Sequence, residues 1–169
     1  MKLTQRTAIL IPAAATWLAL VATAATASLP SVRGTAGAAK GCITVTATIP
    51  VGRFPNGVAA NPKTNTIYVA NTADNTVSVI SGRTNTVTAT VPAGFQPEGV
   101  AANPKTNTIF VTNIGDGTVS VISGRTNTVE ASIRVGSAPA AVTANPKTNS
   151  AYVTNSASGT VSVLAPCPR

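Results

Sequence analysis

The side chains of this chain that could do chemistry are few and widely spaced. Histidine is absent, and the acids are Asp74, Glu98, Asp116 and Glu130 alone. General acid/base catalysis draws on His, Glu or Asp of tuned pKa, and metal sites on clusters of His, Cys, Asp or Glu. Four scattered carboxylates supply neither. Without histidine there is no Ser/His/Asp set; Cys42 and Cys167 cannot form a CxxC, and no glycine-rich loop follows a strand and opens a helix. Asp74 and Asp116 could offer oxygen ligands to Ca²⁺, but carboxylates in tight connections read first as Asx-turn residues. The expectation is therefore a protein that binds and does not catalyse, without cofactor or metal. The groups left for binding are cations, a few loop aromatics and amides.

The elements that must position those groups are short strands. Thr is abundant, with 13 Gly and 12 Pro in 169 residues, a composition of β-strands and tight turns. Met1 to Ala27 reads as a secretory signal peptide, with Lys2 and Arg6 before an acid-free apolar run and Ala25-Thr26-Ala27 as the cleavage site. Residues 28–41 read as a flexible leader rich in Gly, Ala, Pro and Ser. Loss of Lys2 and Arg6 would lower the net charge from +8 to +6. The expected location is outside the cell or in its envelope, with no membrane span after signal cleavage; a retained anchor helix is the alternative.

From residue 43 to 168 the sequence repeats. Asn-Pro-Lys-Thr-Asn recurs at Asn61, Asn103 and Asn145, a spacing of 42 residues. Each unit holds four candidate strands, a to d: Gly57 to Ala60, Thr66 to Asn71, Thr76 to Ile80 and Thr86 to Val91 in the first. Asn-Pro-Lys-Thr-Asn makes the a-to-b turn and Ser-Gly-Arg-Thr-Asn the c-to-d hairpin. Strand c alternates, with Val77 and Val79 facing inward, so one face must be buried on a neighbouring unit. Four short strands every 40 to 50 residues predict an all-β chain of three β-propeller blades.

Tyr68-Val69-Ala70-Asn71, Phe110-Val111-Thr112-Asn113 and Tyr152-Val153-Thr154-Asn155 resemble the repeat that names the YVTN family of β-propeller proteins. The resemblance covers residue 43 to about Pro166. It implies a secreted binding scaffold, as in surface-layer and cell-envelope proteins of that family. Related propellers form domains of enzymes, so a lactonase or quinoprotein type of activity is the alternative, disfavoured by the missing His and acids. The one clear departure is number, because closed propellers have about four to eight blades.

The repeat phase begins on a d strand, Thr44 to Ile49, and stops after a c strand, Val161 to Leu164. Cys42 and Cys167 fall at the repeat positions of Thr84 and Arg83, neighbours in the c-to-d turn. A disulfide there would bridge the break in the ring. A homodimer with six blades and two such seams is the favoured expectation; a bridge within one chain, or a remnant of a longer repeat array, are the others. The residues that vary between units lie in the d-to-a and b-to-c loops, on the blade end expected around the channel mouth. Arg53, Phe54, Asn56, Phe95, Gln96 and Glu98 are the candidate ligand contacts. Lys63, Arg83, Lys105, Arg125 and Lys147 lie in the turns of the opposite end. They form a basic rim suited to an anionic polymer such as a cell-wall teichoic acid, acidic glycan or nucleic acid; a protein partner is equally open. Tyr68, Phe110 and Tyr152 are assigned to packing between blades.

Overall fold

The computed structural model describes residues 43–167. The predicted signal peptide, the leader and Cys42 lie outside the described residues. Eleven strands form, with no helix among the described residues. The first unit contributes β1 (Pro55–Asn61), β2 (Thr66–Asn71), β3 (Thr76–Ser81) and β4 (Thr86–Pro92). The second contributes β5 (Pro97–Asn103), β6 (Thr108–Asn113), β7 (Thr118–Ser123) and β8 (Thr128–Arg134). The third contributes β9 (Pro139–Asn145), β10 (Ser150–Asn155) and β11 (Thr160–Leu164). Each unit is one antiparallel sheet in sequential order, four-stranded in the first two and three-stranded in the third.

The strands are short because the turn chemistry recurs every few residues. Asn65, Asn75 and Asn85 close the three turns of the first sheet at φ 51, 56 and 55, a left-handed backbone that Asn tolerates better than a β-branched residue. Asn107, Asn127 and Asn149 repeat the pattern in the later units. Between these turns, Val, Ile, Thr and aromatic residues favour the extended state.

The three sheets stack as a fan. The inner strand β1 adjoins β5, and β5 adjoins β9, whereas the outer strands β4 and β8 barely meet. Tyr68, Ala70, Val77, Val79 and Val91 of the first sheet close on Val100, Ile109, Val111 and Ile122 of the second. The reverse side of the second sheet presents Phe110 and Val119 to Ala151 and Val153 of the third. Full burial of a Val or Ile side chain is worth about 1.5–3 kcal/mol, so these two interfaces supply the cohesion. The middle sheet is therefore buried on both faces, more than the one-face alternation anticipates. Tyr152 departs from its assignment to packing: Tyr68 is 1% exposed and Phe110 7%, but Tyr152 is 38% exposed because no sheet among the described residues covers that face of the third.

Residues 44–49 also correct the sequence reading, since no strand forms there. The segment leads into β1 as β4 leads into β5, and no sheet among the described residues precedes the first to pair with it.

The motif asparagines Asn71, Asn113 and Asn155 are buried at the end of the second strand of each sheet. The Nδ2 of Asn113 donates to Thr118 Oγ1 at 3.0 Å and to Ser120 Oγ at 2.9 Å, and its Oδ1 accepts from the Gly94 amide at 3.2 Å. Asn155 does the same with Thr160, Ser162 and the Gly136 amide. The alternate face of the third strand thus carries a buried serine with a fixed partner. Replacing Asn113 by Ala strands the Ser120 hydroxyl and the Gly94 amide, at an expected cost of about 2–3 kcal/mol. Urea unfolding measures this, and a loss below about 0.5 kcal/mol would contradict the role.

Candidate functional site

The loop from an outer strand to the next inner strand and the loop between the second and third strands are hydrogen-bonded together in every unit. In the first, the Thr72 amide donates to Phe54 O at 3.0 Å and the Ala73 amide to Arg53 O at 3.3 Å. In the second, the amides of Ile114 and Gly115 reach Gln96 O and Phe95 O; in the third, those of Ser156 and Ala157 reach Ala138 O and Ser137 O. The variable loops therefore form one end of the fan. Phe54, Gln96 and Ala138 occupy the same place in the three loops with φ of 50, 55 and 50. A left-handed backbone at a bulky residue such as Phe54 is uncommon and persists only when surrounding bonds impose it.

Asp74 and Asp116, expected from sequence to be Asx-turn residues, act here instead, together with Ser158 at the third repeat position. Each accepts from a backbone amide 21 residues upstream: Asp74 Oδ2 from Arg53 at 2.7 Å, Asp116 Oδ2 from Phe95 at 2.6 Å, Ser158 Oγ from Ser137 at 2.7 Å. A hydroxyl does the same work as a carboxylate, which explains the third position. Arg53 Nε also meets Asp74 Oδ1 at 2.6 Å. The Arg53 amide first, and its guanidinium second, hold the Asp74 carboxyl below the usual carboxylate range. The pair is exposed and contributes little to overall stability; its effect is to fix the loop. No group of three His, Cys, Asp or Glu side chains stands together among the described residues.

Of the candidate contacts, Arg53, Phe54, Asn56, Phe95 and Gln96 are exposed and Glu98 half-buried. Phe54 is 77% exposed and Phe95 52%, so two aromatic rings stand in solvent on neighbouring loops. Phe54, Asn56 and Gln96 share a concavity of about 400 Å³ with Pro55, Thr72 and Ala73. The Gln96 amide donates to Asn75 Oδ1 at 2.8 Å, tying the second unit's loop to the first. Sequence reasoning missed Thr72 and Asn75, which bind across units. Thr72 Oγ1 donates to Pro97 O at 2.7 Å. Their signal was present in the variation of the same loops, but a single hydroxyl or amide there has no distinctive spacing.

At the other end, Lys63, Arg83, Lys105, Arg125 and Lys147 are all exposed. Their turns adjoin, since the Gly82 amide donates to Asn65 O and the Gly124 amide to Asn107 O, both at 2.8 Å. None of the five meets an acid among the described residues, where the Arg53 and Asp74 contact is the single ion pair. Cys167 is exposed and unpaired among the described residues. Its expected partner, Cys42, lies outside them, and the expected disulfide gains no support. No helix among the described residues is long and apolar enough to cross a membrane.

Solved structures share this arrangement of sheets. Kuenenia stuttgartiensis hydrazine synthase superposes with a TM-score of 0.64 at 26% identity, over 74% of this chain and 36% of that one. The β-propeller domain of Cps50 (Swd1) from Myceliophteria thermophila gives 0.56 at 14%, over 65% and 33%. The fold is an open arc of β-propeller blades. The dihydro-heme d1 dehydrogenase NirN also matches, with a TM-score of 0.53 at 21% identity over 66% of this chain and 28% of that one. A PE-PGRS family protein of Mycobacterium tuberculosis is 62% identical over 34 residues, 20% of this chain and 7% of its own length. No family model matches. The chain thus spans about a third or less of each of these proteins.

The Asp74 clamp gives a pH prediction. A depressed carboxyl contributes order that is present above its unfolded pKa and is lost as pH falls through its folded pKa. The side-chain carbon signal of Asp74 should titrate with a midpoint below the ordinary Asp value. Arg53→Ala keeps the backbone amide and should move that midpoint only part of the way back. A midpoint at the ordinary value in the unmodified chain would contradict the clamp.

Proposed function

We propose that this chain is a secreted, non-enzymatic binding module of the YVTN type, and that its variable-loop end is the contact surface. The observation that carries the reading is the pair of exposed rings, Phe54 and Phe95, on loops whose backbones are locked from both sides. A rigid loop carrying solvent-facing aromatics binds with little ordering cost. Beside the rings lie an arginine, an asparagine amide and a glutamine amide, a mixed set suited to a glycan or to a loop of an envelope protein. Two of the structural neighbours are enzymes by name, and an enzymatic alternative for this chain would need a cluster of acids or histidines that its sequence lacks.

A second reading belongs to the opposite end. Five exposed cations on adjoining turns sum to a positive rim, which favours an anionic polymer and makes binding fall with salt. The absence of exposed aromatics among those turns argues for a charged chain over stacked bases.

The two ends separate in one experiment, in which the purified chain is titrated with heparin, with lipoteichoic acid and with an array of neutral cell-wall glycans. Phe54→Ala with Phe95→Ala should lower binding to a neutral ligand at least tenfold and leave heparin binding unchanged. Changing the five rim cations to Gln should abolish heparin and teichoic acid binding alone. Neutral-ligand binding that survives loss of both rings would overturn the loop-end assignment.

A further inference from the structure

The arc ends in two faces that no other sheet of the described residues covers, although Ser78 and Ile80 on the first are themselves buried, and each carries residues of the kind that seal the interior interfaces. On the third sheet, Tyr152, Val161 and Val163 are 38%, 59% and 58% exposed. They stand at the repeat positions of Tyr68, Val77 and Val79, which are closed by the second sheet. On the first sheet, Val58 is 65% exposed and Ile67 and Val69 are half-buried. They stand at the positions of Val100, Ile109 and Val111, which close on the first sheet from the second. The two open faces are therefore the two halves of a contact that this chain already makes twice within itself.

Three further features point the same way. Among the described residues the third sheet has no strand outside β11, whereas β4 and β8 form the outer strands of the other two. Residues 44–50 read Thr-Val-Thr-Ala-Thr-Ile-Pro, differing from β4 only in Ile49 for Val91. This segment is unpaired, with Ile43 and Val45 97% and 88% exposed. In addition, Asn71 Oδ1 is buried without a partner, while the equivalent oxygens of Asn113 and Asn155 accept from Gly94 and Gly136. The corresponding donor is the Gly52 amide, two residues after the unpaired segment; Gly52 already lies against the Asn71 side chain but makes no hydrogen bond to it.

We propose that the occupant of both faces is a second copy of this chain, packed head to tail. The Tyr152, Val161 and Val163 face of one copy covers the Val58, Ile67 and Val69 face of the other. The segment 44–50 of the second copy then pairs with β11 of the first as an outer strand. The contact is heterologous, so it closes only if the rotation returns to its start. Two copies of the three described sheets bring the blade count to six, within the about four to eight of closed propellers. The seam is not a perfect copy of the interior contacts. A Cβ on Gly57 or Gly99 would run into the Glu98 or Ala140 carbonyl of the next sheet, and the third position is Ala141. The inner strands at the seam stand further apart, and the exchanged outer strand compensates. The loop end proposed as a binding surface is half a ring without the second copy, but the assembly does not depend on that binding role.

The test is mass in solution by light scattering, followed by complementation. The unmodified chain should have twice the monomer mass, with and without reductant. Val161→Lys with Val163→Lys blocks one face, and Val58→Lys with Val69→Lys blocks the other. Each variant alone should be monomeric, and an equimolar mixture should recover a one-to-one dimer through the two intact faces. Recovery also shows that both variants fold. A monomeric unmodified chain, an open-ended polymer, or one variant that dimerises alone would overturn the proposal.

A second measurement covers variants that fail to fold. Asn61 Nδ2 donates to Asn107 Oδ1 at 2.7 Å and Asn103 Nδ2 to Asn149 Oδ1 at 3.5 Å, each across a sheet interface. The next pair in the series is Asn145 of one copy with Asn65 of the other. With Cys42→Ser and Cys167→Ser as background, Asn145→Cys with Asn65→Cys should be linked between copies by a short bis-maleimide. Failure to link, or equal linking of either single cysteine variant, would count against the head-to-tail contact.

Discussion

Everything in this structure depends on apolar side chains standing on both faces of short antiparallel sheets. A sheet that buries one face can leave the other in water; here the middle sheet has Val111 and Ile109 on one side and Phe110 and Val119 on the other, all buried. Such a sheet is stable only between two others, so the repeat must be stacked to fold. Stability is then a sum over interfaces between neighbours. The terminal sheets pay for their position with exposed valines, and the outer strand β8, with no residue buried, shows the same incompleteness at the rim.

The polar groups follow from that packing. The third strands place Ser78 and Ser120 in the interior, and each finds the Nδ2 of the preceding motif asparagine, both at 2.9 Å. In the second and third units the oxygen of the same side chain accepts from a loop glycine amide 19 residues upstream. Core and loop are in this way joined through one side chain. Asp74, Asp116 and Ser158 add a second tie from the next connection. A loop held at two points can keep Phe54, Gln96 and Ala138 in a left-handed backbone, with a ring aimed at solvent as the result.

The fold was legible in the sequence because the same physical unit is written three times. The 42-residue spacing, the turn asparagines and the alternating valines specify strand order without reference to any contact. Less legible was everything that depends on a neighbour. The sequence of residues 44–49 is that of an outer strand, and strand propensity alone predicts it as one; without an adjacent blade the backbone has nothing to pair with. Tyr152 likewise has the sequence setting of a core residue and lacks only the covering sheet. The carboxylates of Asp74 and Asp116 were assigned to their own turns because local bonding is visible in sequence, whereas an amide 21 residues away is not. The placement of the variable residues on one end followed from the blade order, and the locked loops supply its physical basis.

A blade of this chain is complete only when a neighbour covers it. Amide hydrogen exchange across residues 44–49, followed as protein concentration is raised, tests this most directly. Exposed, unpaired amides exchange at the rate of an unstructured peptide, and amides paired to β11 of a second copy are slowed in proportion to the opening of that strand. Protection of alternate amides in this segment at high concentration, lost on dilution, is the predicted result. Exchange at the unstructured rate at every concentration would contradict it.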